Sequence, residues 1–186
     1  MERIGILGYG SLISFQSASR TLKRNLTHAD LHEAILYDYK RTWTYWAYVH
    51  SIYLDKIIKG VFLNIENNPY SKLNGVVFEV SSQELEYLKS REKNYDCVDV
   101  TKNIKLIKTQ SSFDIIYAFV GNESNLINLT EQDLFVFKKY ISIVEEGLKT
   151  FDEEFSNLFR ETTNNIQVPL IEGDYNFIDN EQQKSR

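Results

Sequence analysis

A chain of 186 residues, 42% hydrophobic and 25% charged, has the size and composition of one folded domain with a sizeable interior, which argues against disorder outside the tail. Its formal net charge of -5, from 21 basic and 26 acidic residues, offers no basic stripe for a phosphate backbone, so no nucleic acid partner is expected. No run approaches the roughly 18 apolar residues of a spanning helix, Met1-Glu2-Arg3-Ile4 lacks a signal-peptide core, and Cys97 is the only cysteine; no membrane association and a reducing, cytoplasmic setting are expected.

In chain order, Arg3 to Gly8 reads as a short buried strand running into a turn built from Gly8, Gly10 and Ser11. Ala34 to Val49 is dense in β-formers, with Tyr37, Tyr39, Trp43 and Tyr45 on one parity and Leu36, Trp46 and Tyr48 on the other, a strand covered on both faces. Gly60 to Glu66 and Gly75 to Val80 are two further strands, with a hairpin or short excursion at Asn67-Asn68-Pro69-Tyr70 between them. Ser81 and Glu84 form a capping box, and Val80 and Leu85 stand at the staple positions, so a short helix is predicted from near Ser82 to before Asn94.

Val98, Val100, Ile104 and Leu106 alternate as one strand, and Phe113 to Val120 as another. Thr130 with Asp133 repeats the capping pattern, and Leu134, Phe137, Ile141, Val144 and Leu148 follow at helical spacing, which predicts a long helix. Phe151, Phe155, Leu158 and Phe159 continue the period in a second helix ending near Thr162. Residues 1–175 are expected to form a single domain and 176–186 a polar tail, frayed from Asn180 onward. The fold class predicted is α+β.

Two segments can carry chemistry. Glycines in Gly8-Tyr9-Gly10-Ser11-Leu12 let backbone amides approach a bound carboxylate, although the same turn serves conformation alone in many proteins. A dinucleotide fingerprint is a poorer reading still, since Ile13 and Ser14 stand where a third glycine is needed. In Tyr87 to Tyr95, Glu92 sits near a helix C-terminus, where the dipole and any burial favour the protonated form and bring a carboxyl toward general-base duty; a solvated charge cluster is the plainer alternative. His28 and His32 are spaced i, i+4, but no third ligand accompanies them, so no metal is expected. Cys97 has no local base and reads as a packing residue.

Read together, these segments resemble the gamma-glutamylcyclotransferase superfamily, including its AIG2-like and ChaC-like branches. Gly5 to Leu12 is similar to its opening strand and Tyr-Gly-Ser loop, Leu36-Tyr37-Asp38-Tyr39-Lys40-Arg41 to its next strand, and Leu73 to Val80 to the strand before its catalytic helix. Leu88, Arg91-Glu92 and Tyr95 are similar to its acid-bearing segment, and Tyr117 stands where it has a later tyrosine. The resemblance implies a small, mixed, partly closed β-barrel with flanking helices, no metal or organic cofactor, and a monomer or homodimer. It implies cyclisation of a small gamma-glutamyl substrate to pyroglutamate (5-oxoproline) with release of an amine, with Glu92 as general base and acid. Tyr9, Gly10, Ser11, Leu12, Tyr95 and Tyr117 are implied as the substrate-binding residues. Arg91-Glu92-Lys93-Asn94-Tyr95 lacks the two glycines of the glutathione-acting branch, and Leu12 replaces the asparagine of the enzymes for free gamma-glutamyl amino acids, so the leaving group stays open. The alternative is a non-catalytic binding protein of the same fold recognising an acidic metabolite or peptide end.

Overall fold

The computed structural model describes residues 2–184. Its frame is a hairpin of two long strands, β2 (His32–Ser51, 20 residues) and β3 (Lys56–Val80, 25 residues). Strands of this length do not stay flat. The register shifts between Tyr37 and Tyr39 and again between Thr42 and Tyr45, and bulges of this kind bend a strand and sharpen its twist. At the first shift Asn68–Ser71 loop out opposite Asp38 alone. The predicted interruption at 67–70 is therefore a short excursion within one strand, with Tyr70 at φ 69° and Asp38 at φ 62°.

β1 (Ile4–Gly8) lies in the middle of the sheet, antiparallel to β3 and parallel to β6 (Ile115–Gly121). Ile4 and Ile6 join one core cluster and Leu7 another, which is why the strand is apolar without alternation. β4 (Tyr95–Asp99) pairs with β6, and β5 (Ile104–Leu106) with β2. The single strand expected over 98–106 is thus two. Asp99 accepts from the backbone N–H and the hydroxyl of Thr101 at 2.9 and 2.6 Å, an Asx turn that breaks the run.

Helices cover the sheet. α1 (Phe15–Leu22) is capped by Ser14, and α2 (Ser82–Arg91) by the predicted Ser81/Glu84 capping box. The long helix read from Thr130 begins later: Leu134–Phe137 is a strand, β7, parallel to β3, and only Lys138–Leu148 is helical, as α3. Leu-Phe-Val-Phe is a run of good strand formers, Asp133 sits at φ 60°, and Thr130 bonds back to Asn128. α4 (Glu153–Glu161) matches the second predicted helix. Its C-terminal end is held by Arg41, a buried guanidinium that lies 3.5 Å from the Phe159 ring and donates to the Phe159 carbonyl at 3.0 Å. A cation there meets the negative end of the helix dipole.

The segment after α4 contains β8 (Leu170–Ile171), which pairs with β7, and β9 (Tyr175–Phe177), which pairs with β2. The expected fraying from Asn180 is corrected by α5 (Asn180–Lys184), in which Gln182 is buried and donates to the Arg91 carbonyl; Ser185 and Arg186 lie outside the described residues. His28 and His32 do not share a helix. His28 opens a 3-10 turn and packs on Phe151, while His32 starts β2 beside Phe113.

Candidate functional site

Two lengths bring the glycine turn and Glu92 together. β3 is antiparallel to β1, so α2 starts beside the beginning of β1, where Val80 pairs with Ile4. A ten-residue helix rises about 15 Å, and a five-residue strand covers about 16 Å. The C-terminus of α2 therefore arrives where β1 ends. Glu92 is the C-cap of α2, with its N–H donating to the Leu88 carbonyl and its carbonyl accepting from Tyr95, both at 2.8 Å.

After Gly8 the chain turns through a 3-10 segment at Ser11–Ile13, and its N-cap, Gly10, supplies no side-chain bond. A helical start of this kind leaves amide groups to be satisfied from elsewhere. A Cβ on Gly10 would lie 2.8 Å from the Tyr140 hydroxyl and 3.5 Å from Leu63. The absence of a side chain there keeps the space open.

Tyr9, Gly10, Ser11, Leu12, Glu92 and Tyr95 line one cleft, together with Leu7, Leu63, Phe119 and Tyr140. Tyr117 lies outside it. On β6 it shares a face with Phe119, two residues further along the strand, and Phe119 is the one that reaches the cleft. The cleft encloses about 30 Å³, enough for ordered water and far below the several hundred Å³ of a typical small-molecule site. Ser11 and Tyr140 also line an adjoining cavity of about 330 Å³.

Glu92 is held by its neighbour. Arg91 donates from Nε to Glu92 Oε1 at 2.8 Å, with side-chain exposures of 2% and 10% respectively. The same guanidinium donates to Ser11 Oγ at 2.9 Å, Ser17 Oγ at 3.1 Å and the Ser17 carbonyl at 3.2 Å, and it bonds the Thr21 hydroxyl. Ser17 and Thr21 stand i, i+4 on the buried face of α1, the spacing that puts two hydroxyls side by side. Arg91 thereby fixes the glycine turn, α1 and the acid to one another.

The tyrosine hydroxyls are already engaged. Tyr9 donates to the Phe119 carbonyl, and Tyr95 to the Leu63 carbonyl at 3.1 Å, with the Tyr95 ring 3.9 Å from that of Tyr45. Burial pushes both phenols well above their usual range, and the Glu92 charge pushes the same way. They are walls of the cleft that stay protonated. A raised folded-state value means that the proton is lost late, so in an alkaline absorbance titration Tyr9→Phe removes amplitude from the phase that follows the ordinary phenols near pH 10. Loss of amplitude from the ordinary phase instead contradicts the burial of Tyr9.

No family model matches the sequence, and no curated protein matches it. Solved structures do. A gamma-glutamyl cyclotransferase superposes with a TM-score of 0.53 and 14% identity, over 91% of this chain and 94% of that one. A gamma-glutamyl cyclotransferase specific to glutathione from yeast gives 0.57 and 16%, over 87% and 96%. YkqA from Bacillus subtilis gives 0.58 and 18%, over 87% of this chain and 54% of the other. The fold is that of the gamma-glutamyl cyclotransferase structures. At these identities the likeness speaks for the fold, and activity has to be argued from the site.

Within the gamma-glutamyl cyclotransferase fold, three residues escaped the sequence reading. Arg91 looked like one charge in a surface cluster, yet it is buried; the signal was the pair of hydroxyls at Ser17 and Thr21 among apolar positions of α1. Tyr140 follows Phe137 by three residues, on the inward side of the predicted helix. Phe119 was passed over for Tyr117. Cys97 lies half-buried on β4, where burial pushes its thiol up, as an inert packing residue requires. Among the described residues no group of three or more His, Cys, Asp or Glu could hold a metal ion, and no helix is long and apolar enough to cross a membrane.

Proposed function

We propose that this protein is a gamma-glutamyl cyclotransferase that converts a small gamma-glutamyl amide or peptide to pyroglutamate and the free amine, with Glu92 as the proton carrier. The observation that carries the reading is the buried Glu92 carboxylate lining the same cleft as the glycine turn Tyr9–Leu12. Backbone amides of the turn hold the glutamyl carboxylate, and the cleft walls fold the chain so that its α-nitrogen meets its own γ-carbonyl.

Proton traffic follows from the bonds. A C–N bond forms between the α-nitrogen and the γ-carbon, and the amide C–N bond to the leaving nitrogen breaks. The α-ammonium loses two protons in becoming a lactam N–H, and the leaving N–H gains two in becoming an ammonium. One carboxylate between the two nitrogens carries them in turn. Because the nucleophile belongs to the substrate, orientation supplies most of the acceleration.

The engagement of Glu92 by Arg91 at 2.8 Å favours a second reading, a protein of the same fold that binds an acidic metabolite or peptide end without turning it over. Incubation with gamma-glutamyl amino acids, gamma-glutamyl amines and glutathione, with pyroglutamate followed by mass spectrometry, separates the two. Release from at least one substrate is expected. Thermal stabilisation by these compounds with no product over a long incubation overturns catalysis in favour of binding.

A further inference from the structure

A cavity of about 420 Å³ lies between β2, α3 and the loop that leaves α4, within the range of small-molecule sites. Its lining is largely apolar. Trp43 comes from β2, Ile141 and Val144 from α3, and Phe159 from α4, and it shares Leu63 with the glycine-turn cleft. The two rings are supported from behind: Trp43 packs on the Tyr140 ring at 5.9 Å, and Phe159 carries the Arg41 guanidinium at 3.5 Å. A flat aromatic ligand covers such surfaces best, since stacking adds to the burial itself.

The charged side chains that line the cavity cancel. Glu145 and Arg160 pair with each other at 2.8 Å, so neither an anion nor a cation finds an uncompensated partner there. The polar edge is made of amides. The Asn164 N–H donates to the Arg41 carbonyl at 3.1 Å, and Thr163 forms a bridge with Arg41. These bonds tie the loop to β2 and hold Asn164 and Asn165 at the cavity. Neither of the two side chains hydrogen-bonds another described residue. Each amide offers two donor hydrogens and an accepting carbonyl, the combination that pairs in a bidentate way with the neighbouring donor and acceptor on the edge of adenine.

We propose that this cavity is a second binding site, for an uncharged, planar nitrogen heterocycle of the nucleobase or nucleoside class. Trp43 and Phe159 are its stacking surfaces, and the Asn164 and Asn165 amides read the heterocycle's edge. The site goes beyond the cyclotransferase reading and does not depend on it.

Calorimetry of adenine and adenosine on the parent protein tests the site, with indole as a flat ring that lacks the matching edge. Adenine is expected to bind with a Kd of about 1 mM or tighter, adenosine comparably, and indole at least about fivefold more weakly. Asn164→Ala/Asn165→Ala changes two exposed side chains and is expected to keep the fold, to weaken adenine about tenfold and to leave indole unmoved. Of the two tryptophans in the chain, Trp43 alone emits in Trp46→Phe, and adenine is expected to quench that emission with the calorimetric midpoint. No binding of adenine or adenosine, an affinity unmoved in the double Asn variant, or Trp43 emission that ignores bound adenine overturns the site. Indole binding as tightly as adenine overturns the assignment to a nitrogen heterocycle. Pyroglutamate release enters none of these readouts, so failure of the site and failure of the cyclotransferase reading are told apart.

Discussion

A Glu92→Gln protein is expected to fold as the parent does and to release pyroglutamate about 10² to 10⁴ times more slowly, the range that a positioned general acid–base supplies. Retention of the fold follows from the geometry at the end of α2. The amide oxygen of Gln still accepts from Arg91 Nε, which now bonds the carboxylate at 2.8 Å, and the guanidinium keeps its bonds to Ser11, Ser17 and Thr21, so the lost counter-charge costs less than the roughly 3–5 kcal/mol of an unpaired buried charge. Substrate affinity changes little, because the turn amides are untouched. The check is initial-rate pyroglutamate release on protein whose circular dichroism and urea midpoint match this expectation. A variant that keeps the parent rate removes Glu92 from the mechanism, whatever the cleft looks like.

Arg91→Leu is expected to be strongly destabilising. The guanidinium is almost fully buried and serves Ser11, Ser17, Thr21 and Glu92 at once. Its removal leaves the Glu92 carboxylate buried without its counter-charge, a loss of about 3–5 kcal/mol. For a domain of this size that lowers Tm by roughly 6–20 °C. Activity falls as well, since Ser11 and Glu92 lose the group that holds them in one arrangement. A Tm within a few degrees of the parent contradicts the buried network. Arg91→Lys separates charge from geometry: a point charge cannot reproduce the planar fork, so it is expected to recover only part of the loss.

Most of what positions the site was legible from local pattern. β1 and the glycine turn announce themselves by an apolar run that stops at Gly8 and Gly10, and α2 by a capping box at Ser81 and Glu84, because these signals depend on neighbours in sequence. The cleft itself needed the resemblance, since the join between residues 9–12 and residue 92 depends on β3 lying against β1, a pairing at long range. The misreadings share that cause. Leu134–Phe137 fits a helical stripe and a strand equally well, and contact with Lys59 and Gly60 of β3 decides for the strand. The tail from Asn180 is polar, and the contacts that hold it are distant in sequence: Gln182 bonds Arg91 and Glu181 pairs with Lys93. The burial of Arg91 was illegible for a related reason: a charge beside Glu92 and Lys93 reads as solvated, and only the hydroxyl face of α1 makes the interior polar enough to hold it.

In the proposed cyclisation the substrate's own α-nitrogen, and not water, attacks the γ-carbonyl in the cleft beside Glu92. Turnover of a gamma-glutamyl amino acid in ¹⁸O-water, followed by mass spectrometry of the glutamyl product, tests it directly. Pyroglutamate of unchanged mass is expected, because a cyclisation takes no oxygen from solvent. Free glutamate carrying one ¹⁸O would show a hydrolase in the same fold, and no glutamyl product at all would contradict catalysis at this site.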